Sequence, residues 1–86
     1  MIESVNQKVD VISSYNCLRG LVMPLKIKWH DRVYHVHKLG YYHRRRQGQI
    51  IQHIFHVTDG NLDFKLRFNT EDLNWILEEV SDGNIS

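Results

Sequence analysis

The sequence is poor in the residues that settle a protein's class at a glance. Its single cysteine, Cys17, cannot close an intramolecular disulfide, so the chain fits a reducing compartment rather than a stapled secreted scaffold. One proline and five glycines in 86 residues exclude collagen-like and low-complexity chains. No apolar run approaches the ~20 residues of a membrane-spanning helix. Met1-Ile2-Glu3-Ser4 is not a basic stretch leading into an apolar one, so no leader is expected. The expected location is cytoplasmic, with no membrane partner. A cysteine pair, a glycine-rich phosphate loop and a nucleophile with an assignable base are all missing, so the expectation is a non-catalytic protein without a cofactor. The length suits one domain, 1–86, with its core at about 8–80 and tails at 1–5 and 81–86.

What is present is an uneven charge distribution. The formal net charge is only +1. Yet residues 11–58 hold eight lysines and arginines against Asp31 alone, and residues 59–86 hold seven carboxylates against Lys65 and Arg67. All six histidines lie in the basic block. Such a block gains charge as pH falls toward ~6.5 and suits a polyanionic partner.

Alternation divides the chain into short strands separated by polar turns. Asp59-Gly60 is a two-residue hairpin signal. It pairs Val57 with Leu62, Phe55 with Phe64 and His53 with Leu66 on an apolar face, and His56 with Asp63 and Ile54 with Lys65 on a polar one. A turn at Gln47-Gly48 then sets Tyr42 opposite His53 and Gly40 opposite Phe55, where a glycine leaves room for the ring. It sets Leu39 opposite His56. His30-Asp31 is a third turn, pairing Ile27 with Tyr34 and Leu25 with Val36. Residues 8–15 read as a further strand, and Asn16 to Met23 as a loop around Gly20. Leu73 to Val80 fits a closing strand, with Leu73, Trp75 and Leu77 on one face and Glu78 and Glu79 on opposite faces. The alternative is a helix at about 71–80, capped by Thr70 and stopped by Gly83, that covers the sheet. The expected fold is all-β: a small antiparallel barrel or strongly bent sheet, SH3-like or OB-like, of five to six strands.

The run Leu25-Lys26-Ile27-Lys28-Trp29-His30-Asp31-Arg32-Val33-Tyr34-His35-Val36, the basic tyrosine-rich segment after it and Trp75-Ile76-Leu77 together resemble a small all-β domain. That domain stands at the C-terminal end of some proteins similar to Y-family DNA polymerases. The likeness spans roughly residues 24–82 and is one of spacing. It implies an accessory role near nucleic acid and carries over no catalytic residue.

The candidate site is the polar sheet face. It displays Lys26, Lys28, His35, His37, Tyr41, His43, Arg45, Lys65 and Arg67, with Arg44 and Arg46 at the adjoining hairpin tip. Cations neutralise phosphates, and flat Tyr and His rings offer stacking surfaces for unpaired bases. These residue types point to DNA or RNA. The alternative is a protein–protein or homo-oligomerisation module; an ordinary solvated face explains the same cations. His37, His56 and Asp63 are a weak candidate trio for zinc. His53, alone on the apolar face, reads as a neutral core histidine bonded to a tyrosine hydroxyl or a carbonyl.

Overall fold

Seven strands make up the chain: β1 (Ile2–Asn16), β2 (Leu21–Trp29), β3 (Arg32–His35), β4 (Lys38–Gln47), β5 (Ile50–Thr58), β6 (Asp63–Asn69) and β7 (Asn74–Ser81). The computed structural model describes residues 2–18 and 20–82, and among them there is no helix, hence none able to cross a membrane. All seven strands belong to one antiparallel sheet in the order β3-β2-β1-β7-β6-β5-β4.

The two edge strands, β3 and β4, are consecutive in sequence. Only Val36 and His37 separate them, and the backbone changes partner between these two residues. Val36 N–H donates to the Leu25 carbonyl on β2 at 2.8 Å, and His37 N–H donates to the Thr58 carbonyl on β5 at 2.8 Å. The sheet therefore bends around the core and stays open, because no ladder joins β3 to β4. The expected all-β antiparallel class is right. The count of five to six strands is low, because the run between the His30-Asp31 and Gln47-Gly48 turns breaks at Val36-His37 into β3 and β4. β1 also extends to Ile2, and Leu21–Met23, read as loop, starts β2.

The helix alternative for 71–80 is overturned: residues 74–81 are strand. β7 does not close an edge either. It lies mid-sheet between β1 and β6, because Trp75, Leu77 and Val80 all turn inward. Residues 2–5, set outside the core from sequence, are part of β1, with Ile2 opposite Ser81 and Glu3 opposite Val80. Met1, residues 83–86 of the assigned tail and the proposed helix stop Gly83 lie outside the described residues.

Two hairpin registers move by two residues from the expected ones. After β5, Thr58 pairs with Asp63 and Val57 with Phe64, so the loop has four residues rather than two. The Asp59 carboxylate holds this wider loop by accepting from Asn61 N–H at 2.8 Å and Leu62 N–H at 2.7 Å. In the second hairpin Gln47 pairs with Ile50, leaving Gly48-Gln49 as the turn, with Gly48 at φ 64°. The third turn keeps the expected register: Ile27 pairs with Tyr34, and His30 and Asp31 both adopt positive φ. Because side chains alternate with period two, a two-residue slip leaves every side chain on its expected face. Phe55 and Phe64 thus share the inner face, as expected, although Phe55 stands opposite Leu66.

The faces change only where bulges intervene. At Gly40 the register shifts, so Leu39 stands opposite Val57 and packs inward instead of lying with His56. A Cβ at Gly40 would stand 3.4 Å from the His56 carbonyl oxygen, so the glycine accommodates backbone there rather than the Phe55 ring. On β2, Pro24 pairs with Ser13 at a second bulge and leaves Leu25 exposed, contrary to its assignment to the apolar face. A proline fits there because a bulge tolerates a missing ladder donor.

The core comprises Ile27, Phe55, Val57, Phe64, Leu66, Trp75, Leu77 and Val80. Tyr34 on β3 meets Phe64 on β6 with ring centroids 5.2 Å apart, a direct sign of the curl.

A carboxylate under three cations and a ring cluster on the outer face

Across β4, β5, β6 and β7 the outward positions run Tyr41-His56-Lys65-Glu79 and His43-Ile54-Arg67-Ile76, with Arg45 opposite Gln52. A bulge between Lys65/Leu66 and the residues facing them puts an extra residue, Glu78, into β7. Inward-facing Leu77 and Val80 then flank two outward residues, Glu78 and Glu79. The sequence reading placed these two carboxylates on opposite faces. Strict alternation would do so, and the bulge cancels it. β1 carries its own irregularity at this level, with Asn6 at φ 52°.

Glu78 is buried, with its side chain 9% exposed. Arg45 donates to its Oε2 at 2.6 Å, Arg67 donates to the same oxygen at 2.9 Å, and Lys65 Nζ stands 3.6 Å from Oε1. One carboxylate anchors three cations from two strands, β4 and β6, so the cluster keeps a surplus of positive charge. Beside it, Tyr41, His43 and His56 form a triangle of rings with centroid separations of 5.2, 5.6 and 5.7 Å. Tyr41 is 59% exposed. Two buried polar atoms on this face, His43 Nδ1 and Gln52 Oε1, have no hydrogen-bond partner.

Burial lowers the pKa of His56 from its usual 6.5; Lys65 and His43 lower it further, while Glu79 and Glu78 oppose them. His56 thus gains its charge at a lower pH than the sequence reading supposed. Next to the triangle runs a groove of about 460 Å³, bordered by Tyr41, His56, Thr58, Lys65, Glu79 and Ser81.

The expected basic face is only partly assembled. Tyr41, His43, Arg45, Lys65 and Arg67 come together as described. Lys26, Lys28 and His35 lie on β2 and β3, at the far end of the strand order, with β1 and β7 in between. Arg44 stands opposite His53 and Arg46 opposite Ile51, so both occupy the face turned away from Arg45, at the rim of the concave side. His37 lies beside Gly60, within 3.6 Å of where a Cβ would stand. The zinc trio of His37, His56 and Asp63 is not assembled: among the described residues, no three His, Cys, Asp or Glu side chains cluster as metal ligands.

His53 behaves as the core reading expects. Its Nδ1 pairs with the Tyr42 hydroxyl at 2.5 Å, and burial first, then Arg44, lowers its pKa from 6.5. The cavity it borders with Tyr42 and Phe68, about 150 Å³, falls below the usual ligand-pocket range of roughly 300–1,000 Å³.

Glu78, Glu79 and Gln52 were missed from sequence. The available signal was two adjacent glutamates inside the otherwise alternating run Trp75 to Val80, a pattern that a bulge explains. Comparison with protein-family models, with curated proteins and with solved structures finds no match to this chain.

Proposed function

We propose that this protein is a non-catalytic nucleic-acid-binding module that takes single-stranded DNA or RNA on the outer face of β4–β7. The observation that carries the reading is the Tyr41/His43/His56 ring triangle, exposed at Tyr41, adjoining the cation row of Arg45, Arg67 and Lys65. Aromatic faces stack on unpaired bases while cations follow the phosphates. Small OB-fold barrels use exposed sheet faces in this way. The resemblance of residues 24–82 to the all-β domain of Y-family polymerase-like proteins points in the same direction. A reducing, cytoplasmic setting suits the exposed free thiol of Cys17.

The other reading, self-association through an edge strand, has the ten-residue edge β4 in its favour. Against it stand Lys38, Arg44, Arg45 and Arg46 on that strand, since edge cations oppose strand addition. Titration with short single-stranded and duplex DNA and RNA at two salt concentrations separates the readings. Phosphate binding weakens steeply with salt. Absence of affinity for every nucleic acid at low salt would reject the proposal.

A further inference from the structure

The outer-face groove has a feature that phosphate binding leaves unused. Glu79 borders it, half-buried, opposite Lys65 on one side and Ser4 on the other. Lys65 turns to Glu78 instead, at 3.6 Å. Among the described residues, no hydrogen bond or ion pair engages the Glu79 side chain. Exposed Tyr41 and half-buried His56 stand on the far side of the same groove. Ile2, Val57 and Phe64 add apolar surface. Its volume of about 460 Å³ lies within the roughly 300–1,000 Å³ of small-ligand pockets.

A flat ring, an apolar wall and acceptor-only carboxylates, Glu79 beside Tyr41's groove with Asp63 also on its rim, form a selective set. An ionised carboxylate has two oxygens and no donor. Among the bases, guanine alone offers two adjacent donors, N1–H and the N2 amino group, on its Watson–Crick edge. Adenine and cytosine each set an amino donor beside a ring-nitrogen acceptor, which would face a carboxylate lone pair. Uracil offers one N–H between two carbonyls. Single-stranded recognition reads bases on this edge while they stack on aromatic rings.

We infer that this groove holds one guanine of a bound single strand, its ring against Tyr41 and its Watson–Crick edge on the Glu79 carboxylate, with Lys65 at the backbone. This inference rests on the single-strand reading above and adds base selectivity to it. The pairing leaves Glu78 and its cations as the sequence-independent part of the surface.

The test is a fluorescence-anisotropy titration of the full chain at low salt with a uridine heptamer and with heptamers carrying one central guanine, adenine or cytosine. The guanine heptamer should bind roughly 10-fold tighter than the others, the scale of one good bidentate base contact. Glu79→Gln should abolish that preference, bringing the guanine heptamer to the affinity of the uridine one measured with the same variant. Inosine, which lacks the N2 amino group, should lose most of the preference, whereas 7-deazaguanine, whose Watson–Crick edge is intact, should keep it; these two arms do not depend on how well a variant folds. Equal binding of all four heptamers overturns the guanine assignment and leaves the single-strand reading standing. No binding to any heptamer overturns both. Guanosine monophosphate binding as tightly as the guanine heptamer overturns the assignment to a strand.

Discussion

Glu78 is the residue on which the outer face depends. A buried carboxylate is tolerated only when its charge is met, and here Arg45 and Arg67 meet it at one oxygen with Lys65 near the other. Glu78→Gln would leave three neighbouring cations repelling one another and remove charge-assisted hydrogen bonds, each of which contributes about 1.5–3 kcal/mol. We expect it to lower the denaturant midpoint clearly, while Glu79→Gln, half-buried and without a hydrogen bond or ion pair among the described residues, shifts it little. Equal losses would show that Glu78 is not the anchor.

The histidines set an acid limit at the same scale. His53 and His56 both have folded-state pKa values below 6.5, with burial the largest cause for each. The unfolded chain therefore binds more protons than the folded one just below pH 6.5, and stability falls as pH drops through that window. Above 6.5 both contributions are fully present. Chemical unfolding from pH 7.5 down to 5 should show this decline, and His53→Gln should flatten it. A stability that rises on acidification would contradict the neutral Tyr42–His53 pair. Leu73 is a separate case: 69% exposed and at φ 60°, it holds a left-handed conformation that costs an L-residue roughly 1–2 kcal/mol. Leu73→Gly should therefore raise the melting temperature.

Among elements, the β5–β6 hairpin carries half of the core, with Phe55, Val57, Phe64 and Leu66. Phe64 is 2% exposed and Lys65 points outward. Phe64→Ala should cost about 3–5 kcal/mol, a large part of what holds so small a domain together. Lys65→Ala should cost little, since its ion pair is long and partly solvated. Comparable losses would mean that the face assignment is wrong. This assignment was legible in the sequence although the register was not. Alternation of Ile51, His53, Phe55 and Val57 with Gln52, His56 and Thr58 fixes the face despite Ile54, and any even slip preserves it. The loop length depends on the Asp59 side chain bridging to Asn61 and Leu62, a choice that the Asp-Gly pair alone does not announce. The left-handed residues His30 and Asp31 make a tight turn without any glycine, so here the flanking alternation was the better guide.

For the whole molecule, the strand order decides which cations act together. Arg45 and Arg67 share the β4–β7 face, and Lys26 and Lys28 lie beyond β1 and β7. If single strands bind as proposed, Arg45→Ala and Arg67→Ala should each reduce the salt slope by about one unit. Tyr41→Ala should weaken binding by about 1–3 kcal/mol and leave the slope nearly intact. Lys26→Ala and Lys28→Ala should change neither quantity. An effect of Lys26 equal to that of Arg45 would place the contact elsewhere.

What the sequence determined by itself is therefore local: an all-β chain, the positions of its reversals, and the inward side of most strands. These follow from period-two alternation and from polar breaks, which neighbouring residues encode. What only the tertiary structure decided is non-local. β7 became a central strand because its inward residues are buried between β1 and β6. The bulges at Gly40, Pro24 and Glu78 exchanged faces for Leu39, Leu25 and Glu79 because one extra residue on one strand resets alternation against its partner. The basic block divided into two surfaces because a curled sheet sends its two ends' outer faces apart. No sequence spacing measures that curvature, which is set by how the bulged strands pack around Phe55, Phe64 and Trp75.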